Sequence, residues 1–106
     1  MLGEVAISSI VAAELWTGVM KSGAPAVTAE ALRRFMVLVA VLDWPAEAAQ
    51  VYGDIRARLE ASGRSIGALD MLIAAHAIHE KATLVTHNLG EFRRVPGLKV
   101  ESWPKS

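Results

Sequence analysis

Between Leu69 and Ile78 almost every position is apolar: Leu69, Met71, Leu72, Ile73, Ala74, Ala75, Ala77 and Ile78. A helix that is apolar nearly all round is packed inside a domain. Polar groups return in strength at His79, Glu80 and Lys81. Thr83, Leu84, Val85 and Thr86 then form a short β-favouring run, closed by the turn formers Asn88 and Gly90. Gly67 to Asn88 is therefore expected to be a buried helix leading directly into a buried strand, an αβ unit of a parallel sheet around which the chain is organised.

The remaining segments alternate in the same way. Val5, Ala6 and Ile7 read as a short strand stopped by Ser8 and Ser9, either of which can cap a helix over Ser9 to Lys21. Ser22, Gly23, Ala24 and Pro25 break the chain, and Thr28 is expected to cap a second helix with Leu32, Phe35, Met36 and Val37 inward. Val39 to Leu42 reads as a fully buried strand, followed by Asp43, Trp44 and Pro45, with Pro45 suited to a first helical position. From Ala46 to Ala61 the apolar residues Ala48, Val51, Tyr52, Ile55 and Leu59 oppose a charged face of Glu47, Asp54, Arg56, Arg58 and Glu60. A polar loop, Ser62 to Ile66, delivers the chain to the central unit, and Leu98 to Trp103 supplies a last strand. The order β, α, α, β, α, α, β, short helix, β predicts an α/β domain: a mostly parallel sheet with helices on its faces.

With 106 residues and 53% hydrophobic content the chain is sized for one domain, 1–106, with an ample core. No repeat or linker divides it. Lys plus Arg balance Asp plus Glu at 11 each, so there is no global basic field and any RNA contact needs a local patch. The absence of Cys excludes a disulfide framework and a thiolate metal site and fits a reducing cytoplasm. No run approaches the ~20 apolar residues of a membrane span, and the first residues lack a basic signal-peptide start. A soluble, cytoplasmic protein is expected.

Polar residues inside this apolar pattern are the candidates for chemistry. Asp70 opens the central helix, and His87, Asn88 and Glu91 follow the carboxyl end of its strand. In open α/β sheets that edge binds ligands. An Asp in a first helical turn also interacts favourably with the helix dipole, by roughly 0.3–1 kcal/mol, so capping alone accounts for Asp70 equally well. Glu14 lies beyond the first turn of its helix, where the dipole does not explain it; with Thr17 and Lys21 it forms either a solvated stripe or part of a site. Carboxylates at one sheet edge suit a hard divalent cation such as Mg²⁺, and phosphodiester cleavage needs such groups to neutralise developing charge. Arg33 with Arg34, Arg93 with Arg94, and Arg56, Arg58 and Arg64 are either phosphate contacts or solubilising surface charge. His76, His79 and Glu80, three or four apart, form a rival set for a transition metal, although no HExxH pattern is present and solvation at a helix end accounts for His79 and Glu80.

Three segments together carry a resemblance: Ile7-Ser8-Ser9-Ile10-Val11-Ala12-Ala13-Glu14-Leu15, Asp70-Met71-Leu72-Ile73-Ala74-Ala75-His76-Ala77, and Leu84-Val85-Thr86-His87-Asn88-Leu89-Gly90-Glu91-Phe92-Arg93-Arg94-Val95-Pro96-Gly97-Leu98. In this order they resemble a PIN-domain ribonuclease of the VapC toxin family, over essentially the whole chain. The resemblance implies an α/β/α fold and Mg²⁺- or Mn²⁺-dependent endonucleolytic cleavage of RNA. It further implies a cognate antitoxin that blocks the acidic pocket, and a homodimer. Carried over by position, Glu14 resembles the acid of the family's early helix and Asp70 the acid opening its later helix. Asn88 stands where many members have Asp, and Glu91 is a nearby carboxylate that can take that part. The implied set is thus Glu14, Asp70 and Glu91 as catalytic acids, Glu14, Asp70 and Asn88 as metal ligands, and Arg64, Arg93 and Arg94 at RNA.

Family members begin with an apolar strand and a helix ahead of the segment that starts here at Val5, and that strand carries their first catalytic acid. Its absence leads to the expectation of an incomplete metal site, and of a sheet in which the Val5 and Leu84 strands meet directly or leave a gap. Two other functions stand beside the nuclease: an inactive PIN remnant that binds a protein partner or dimerises, and a histidine-based metal protein that loses zinc or nickel on His76→Ala and His79→Ala.

Overall fold

A computed structural model describes residues 5–102. The chain divides after Trp44 into two compact units. The first holds β1 (Ala6–Ser8), α1 (Ser9–Lys21), α2 (Pro25–Val37) and β2 (Ala40–Leu42); the second holds α3 (Ala48–Ala61), α4 (Ala68–His79), β3 (Thr83–Thr86), α5 (Leu89–Phe92) and β4 (Lys99–Ser102). The element order is the expected one. Parallel pairing is also as expected, but among the described residues it takes the form of one two-stranded sheet in each unit: β1 with β2, Ala6 opposite Ala40, and β3 with β4, Thr83 opposite Lys99. The expectation that the last strand reaches Trp103 concerns a position outside the described residues.

In the first unit, Ser8 caps α1 by accepting from the Ile10 N–H at 3.1 Å. The N–H of Trp44, just past β2, donates to Ser9 Oγ at 3.0 Å, which ties the carboxyl ends of β1 and β2 together. Helix α2 starts earlier than expected, with Pro25 at its first position and Ala24 as N-cap. Proline suits this place because its missing N–H would have had no helical partner. Thr28, expected as the cap, sits inside the first turn and donates its hydroxyl to the Ala24 carbonyl at 2.9 Å. Val19, Ala29 and Leu32 form the buried seam between the helices, with Trp16 and Met36 packed on it. Phe35 and Val37 were expected inward but are exposed, Val37 at 84%. Strand β2 is likewise open along Ala40 and Val41 rather than fully buried, because a two-stranded pair covers less of each strand than the wider sheet expected.

In the second unit α3 presents Ala48, Ile55 and Leu59 to the core, as its periodicity predicts, while Arg56–Glu60 and Arg58–Asp54 pair on the exposed side. Pro45 lies three residues ahead of this helix, its carbonyl accepting from the Ala48 N–H. Helix α4 buries Met71, Ile73, Ala74, Ala75 and His76. It ends at His79, and two residues on Lys81 takes a left-handed φ of 56° while the Ala82 N–H returns to the Ala77 carbonyl at 2.9 Å. That left-handed closure ends the helix and leads the chain into β3, which packs against α4.

Candidate active site

A short turn through Lys81 joins α4, whose first turn carries Asp70, to β3, whose carboxyl end leads into Asn88 and Glu91. Asp70 occupies the third position of α4, and Asn88 and Glu91 follow β3 at the carboxyl edge of the β3–β4 pair. It is the edge at which parallel sheets hold ligands.

Each of the three is held by identifiable backbone. Gly67 is the N-cap of α4 and offers no side chain to the orphan N–H groups there. The Asp70 carboxylate leans back over it: a β-carbon at Gly67 would lie 3.7 Å from Asp70 Oδ2. Asn88 is the N-cap of α5, its own N–H donating to Thr86 Oγ1 at 3.0 Å, and its side chain makes no capping bond. Glu91 stands in the first turn of α5 and is half-buried, as is Asp70. The α5 turn is closed by Phe92 N–H to Asn88 O and Arg93 N–H to Leu89 O, and Arg94 N–H reaches Glu91 O at 3.0 Å. Buried Phe92 and Val95 anchor it from below.

The arginines separate into different roles. Arg64 and Arg93 are exposed. Arg94 Nη1 instead donates to the backbone carbonyl of Ser65 at 3.1 Å, joining the turn after α5 to the loop that enters α4. Arg33 and Arg34 pair with Glu30, and Arg33 lies 5.6 Å from the Trp16 ring centroid. Arg56 and Arg58 are engaged by Glu60, Tyr52 and Asp54.

Glu14 belongs to the first unit, in the second turn of α1, and is exposed together with Thr17 and Lys21. The rival histidine set does not hold its expected form. His79 and Glu80 are exposed at the end of α4 as the solvation reading has it, but His76 is buried at 3% exposure, and neither ring nitrogen finds a hydrogen-bond partner. Among the described residues no three His, Asp or Glu side chains form a ready-made metal cage. Sequence reasoning missed the Ser65 carbonyl and the Thr86 hydroxyl. Thr86 could have been found, since a threonine two residues before Asn88 is an ordinary turn-forming acceptor; a backbone carbonyl leaves no sequence signal.

No helix among the described residues is long and apolar enough to cross a membrane. Among solved structures the chain is similar to the VapBC2 complex of Rickettsia felis bound to a DNA fragment from its promoter. The TM-score there is 0.90 at 47% identity, over 92% of this chain and 74% of that one. It is similar also to the DNA-bound VapBC of Salmonella typhimurium, with a TM-score of 0.89 at 41% identity over the same shares. Among curated proteins it is 46% identical to the ribonuclease VapC2 of Rickettsia felis over 101 residues, 95% of this chain and 75% of the relative. It is 41% identical to the tRNA(fMet)-specific endonuclease VapC of Shigella flexneri, over 95% and 76%. The model of the PIN domain matches residues 1–98, and with relatives this similar across nearly its whole length the chain belongs to the PIN-domain family.

Proposed function

We propose that this chain is a metal-dependent endoribonuclease, the toxin of a type II toxin–antitoxin pair, working in the cytoplasm as a homodimer and held inactive by a cognate antitoxin. What supports the reading is the placement of half-buried Asp70 in the first turn of α4 and of Asn88 and half-buried Glu91 in the segment that follows the carboxyl end of β3. The relatives named as ribonucleases, and those solved in VapBC complexes, support the activity and the antitoxin partner.

The donor set fits Mg²⁺ or Mn²⁺: two half-buried carboxylates and an amide whose side chain is not spent on capping, all hard oxygen donors. Asp70 would hold the cation through its carboxylate oxygens, with either the Asn88 amide oxygen or the Glu91 carboxylate taking the part of the later acid. Such a cation supplies Lewis-acid stabilisation of the charge that builds on the scissile phosphate. Glu14 is assigned as a further acid on the resemblance alone and is tested by its own substitution. Arg64 and Arg93, exposed and without ion pairs among the described residues, meet backbone phosphates of the RNA.

The test is cleavage of initiator tRNA and other RNAs by the purified chain with Mg²⁺ or Mn²⁺. Cleavage should stop on chelation and fall by at least about 100-fold in Asp70→Asn and in Glu14→Gln. Wild-type activity in Asp70→Asn would overturn the assignment. An inert wild type that still binds an antitoxin would favour the non-catalytic PIN module.

A further inference from the structure

We infer that Arg94 is a positioning residue: its guanidinium holds the entry to α4, and so Asp70, in register with the Asn88–Glu91 turn. The inference rests on the nuclease reading for its consequence in metal binding, and on the geometry alone for the clamp itself. Arg94 was expected to contact RNA, yet its Nη1 donates to the Ser65 carbonyl at 3.1 Å, across 29 residues of sequence.

What the bond joins gives it this role. On one side Arg94 is fixed to the acid-bearing turn, its own N–H donating to Glu91 O while Phe92 N–H reaches Asn88 O, with Phe92 and Val95 buried on either side of the arginine pair. On the other side, Ser65 precedes buried Ile66 and the N-cap Gly67, whose carbonyl accepts the first helical bond of α4 from Met71 at 3.0 Å. Asp70 is the residue before Met71 and rests against Gly67. The loop carries no side-chain cap at Gly67 and no buried polar anchor at Ser65, which is exposed. A planar guanidinium suits the task, since its fixed fork loses little freedom on making a directed bond. Groups that orient ligands from behind typically change metal affinity about 10-fold to 100-fold when removed.

The experiment compares the full chain with Arg94→Ala, Arg94→Lys and Arg93→Ala. Three quantities are read: Mn²⁺ affinity by calorimetry without RNA, RNA affinity by fluorescence anisotropy in chelator, and hydrogen exchange at the Met71 amide. Arg94→Ala should weaken Mn²⁺ at least about 10-fold, speed Met71 exchange, and lower kcat with KM held. Arg94→Lys, which keeps a donor, should recover part of each effect, and Arg93→Ala should leave Mn²⁺ affinity unchanged. An Arg94→Ala chain that loses RNA affinity alone, with Mn²⁺ binding and Met71 exchange as in wild type, overturns the proposal and returns Arg94 to the RNA surface. If the wild type binds no Mn²⁺, the nuclease reading falls, and the clamp is decided by Met71 exchange: faster in Arg94→Ala upholds it, unchanged refutes it.

Discussion

His76 Nε2 lies 3.7 Å from Glu80 Oε2, one helical turn on, yet the ring itself is sealed in the core of α4 with both nitrogens unpaired. Burial disfavours the charged ring and is the largest influence on it; Glu80 pulls the other way and His79 adds to the burial effect, so its pKa is lowered from the ordinary 6.5. As pH falls below that ordinary value the unfolded chain takes up a proton that the folded chain refuses. The stability is therefore fully present above about pH 7 and declines on acidification until the lowered pKa is passed. His76→Leu should flatten this dependence in urea titrations. It should also raise stability at neutral pH by about 1 kcal/mol, because each unpaired buried polar group costs roughly 1–3 kcal/mol. A wild-type and variant pair with parallel pH profiles would show that the ring is solvated or partnered in the folded protein.

Lys81 lies in the turn between α4, which carries Asp70, and β3, which leads to Asn88, and it has a φ of 56°. A side chain in the left-handed region costs roughly 1–2 kcal/mol, which glycine avoids while giving back part of the gain as greater freedom of the unfolded chain. Lys81→Gly should thus stabilise by about 0.5–1 kcal/mol, seen as a higher urea midpoint at unchanged slope. The Ala82 N–H to Ala77 carbonyl bond, being backbone, survives the change.

These two positions mark what periodicity and turn chemistry can and cannot reveal. The positions of the central helix, its following strand and the half-exposed α3 were legible from apolar spacing, but β3 was expected to be buried and is open at Thr83 and Val85, and Leu69 at the start of α4 is half exposed. Burial of α2 and β2 was overestimated at Phe35, Val37 and Val41, since spacing reports a residue's fitness for a core and not how many neighbours a two-stranded sheet supplies. Pro25 was read as a breaker and opens a helix instead, one residue type serving both ends of the same boundary. Asp70, Asn88 and Glu91 could be singled out as candidates from the order helix, strand, turn. The tie from Arg94 to Ser65 could not be, because its acceptor is a backbone carbonyl 29 residues away.

The contact of α4 with α3 depends on small residues. Ala74 and Ala75 are both 0% exposed on α4, as is Ala48 on α3, where Ile55 and Leu59 are also buried. Added methylenes at a fully buried alanine are expected to overpack, which costs typically about 1–3 kcal/mol. Ala75→Leu should lower the melting temperature by several degrees, roughly 4–8 °C for each kcal/mol in a domain of this size. RNA cleavage measured well below the melting point should fall much less than in Asp70→Asn, since the acids themselves are untouched.

Asn88 and Glu91 compete for the part of the later acid, and paired substitutions separate them. Asn88→Asp places a carboxylate where the amide oxygen now stands. Asp is as good an N-cap as Asn, and a negative charge beside the first turn of α5 is favourable, so the fold is not weakened. The N–H bond to Thr86 Oγ1 is made by the backbone and does not depend on the substitution. If Asn88 ligates the cation, the added charge should tighten Mn²⁺ at least about tenfold, equivalent to ~1.4 kcal/mol, and Glu91→Gln should have the smaller effect. If Glu91 takes the part, Glu91→Gln should remove most Mn²⁺ binding while Asn88→Asp leaves the affinity where it was. Calorimetry without RNA distinguishes the two, and an Mn²⁺ affinity unchanged in both variants would place the ligands elsewhere in the chain.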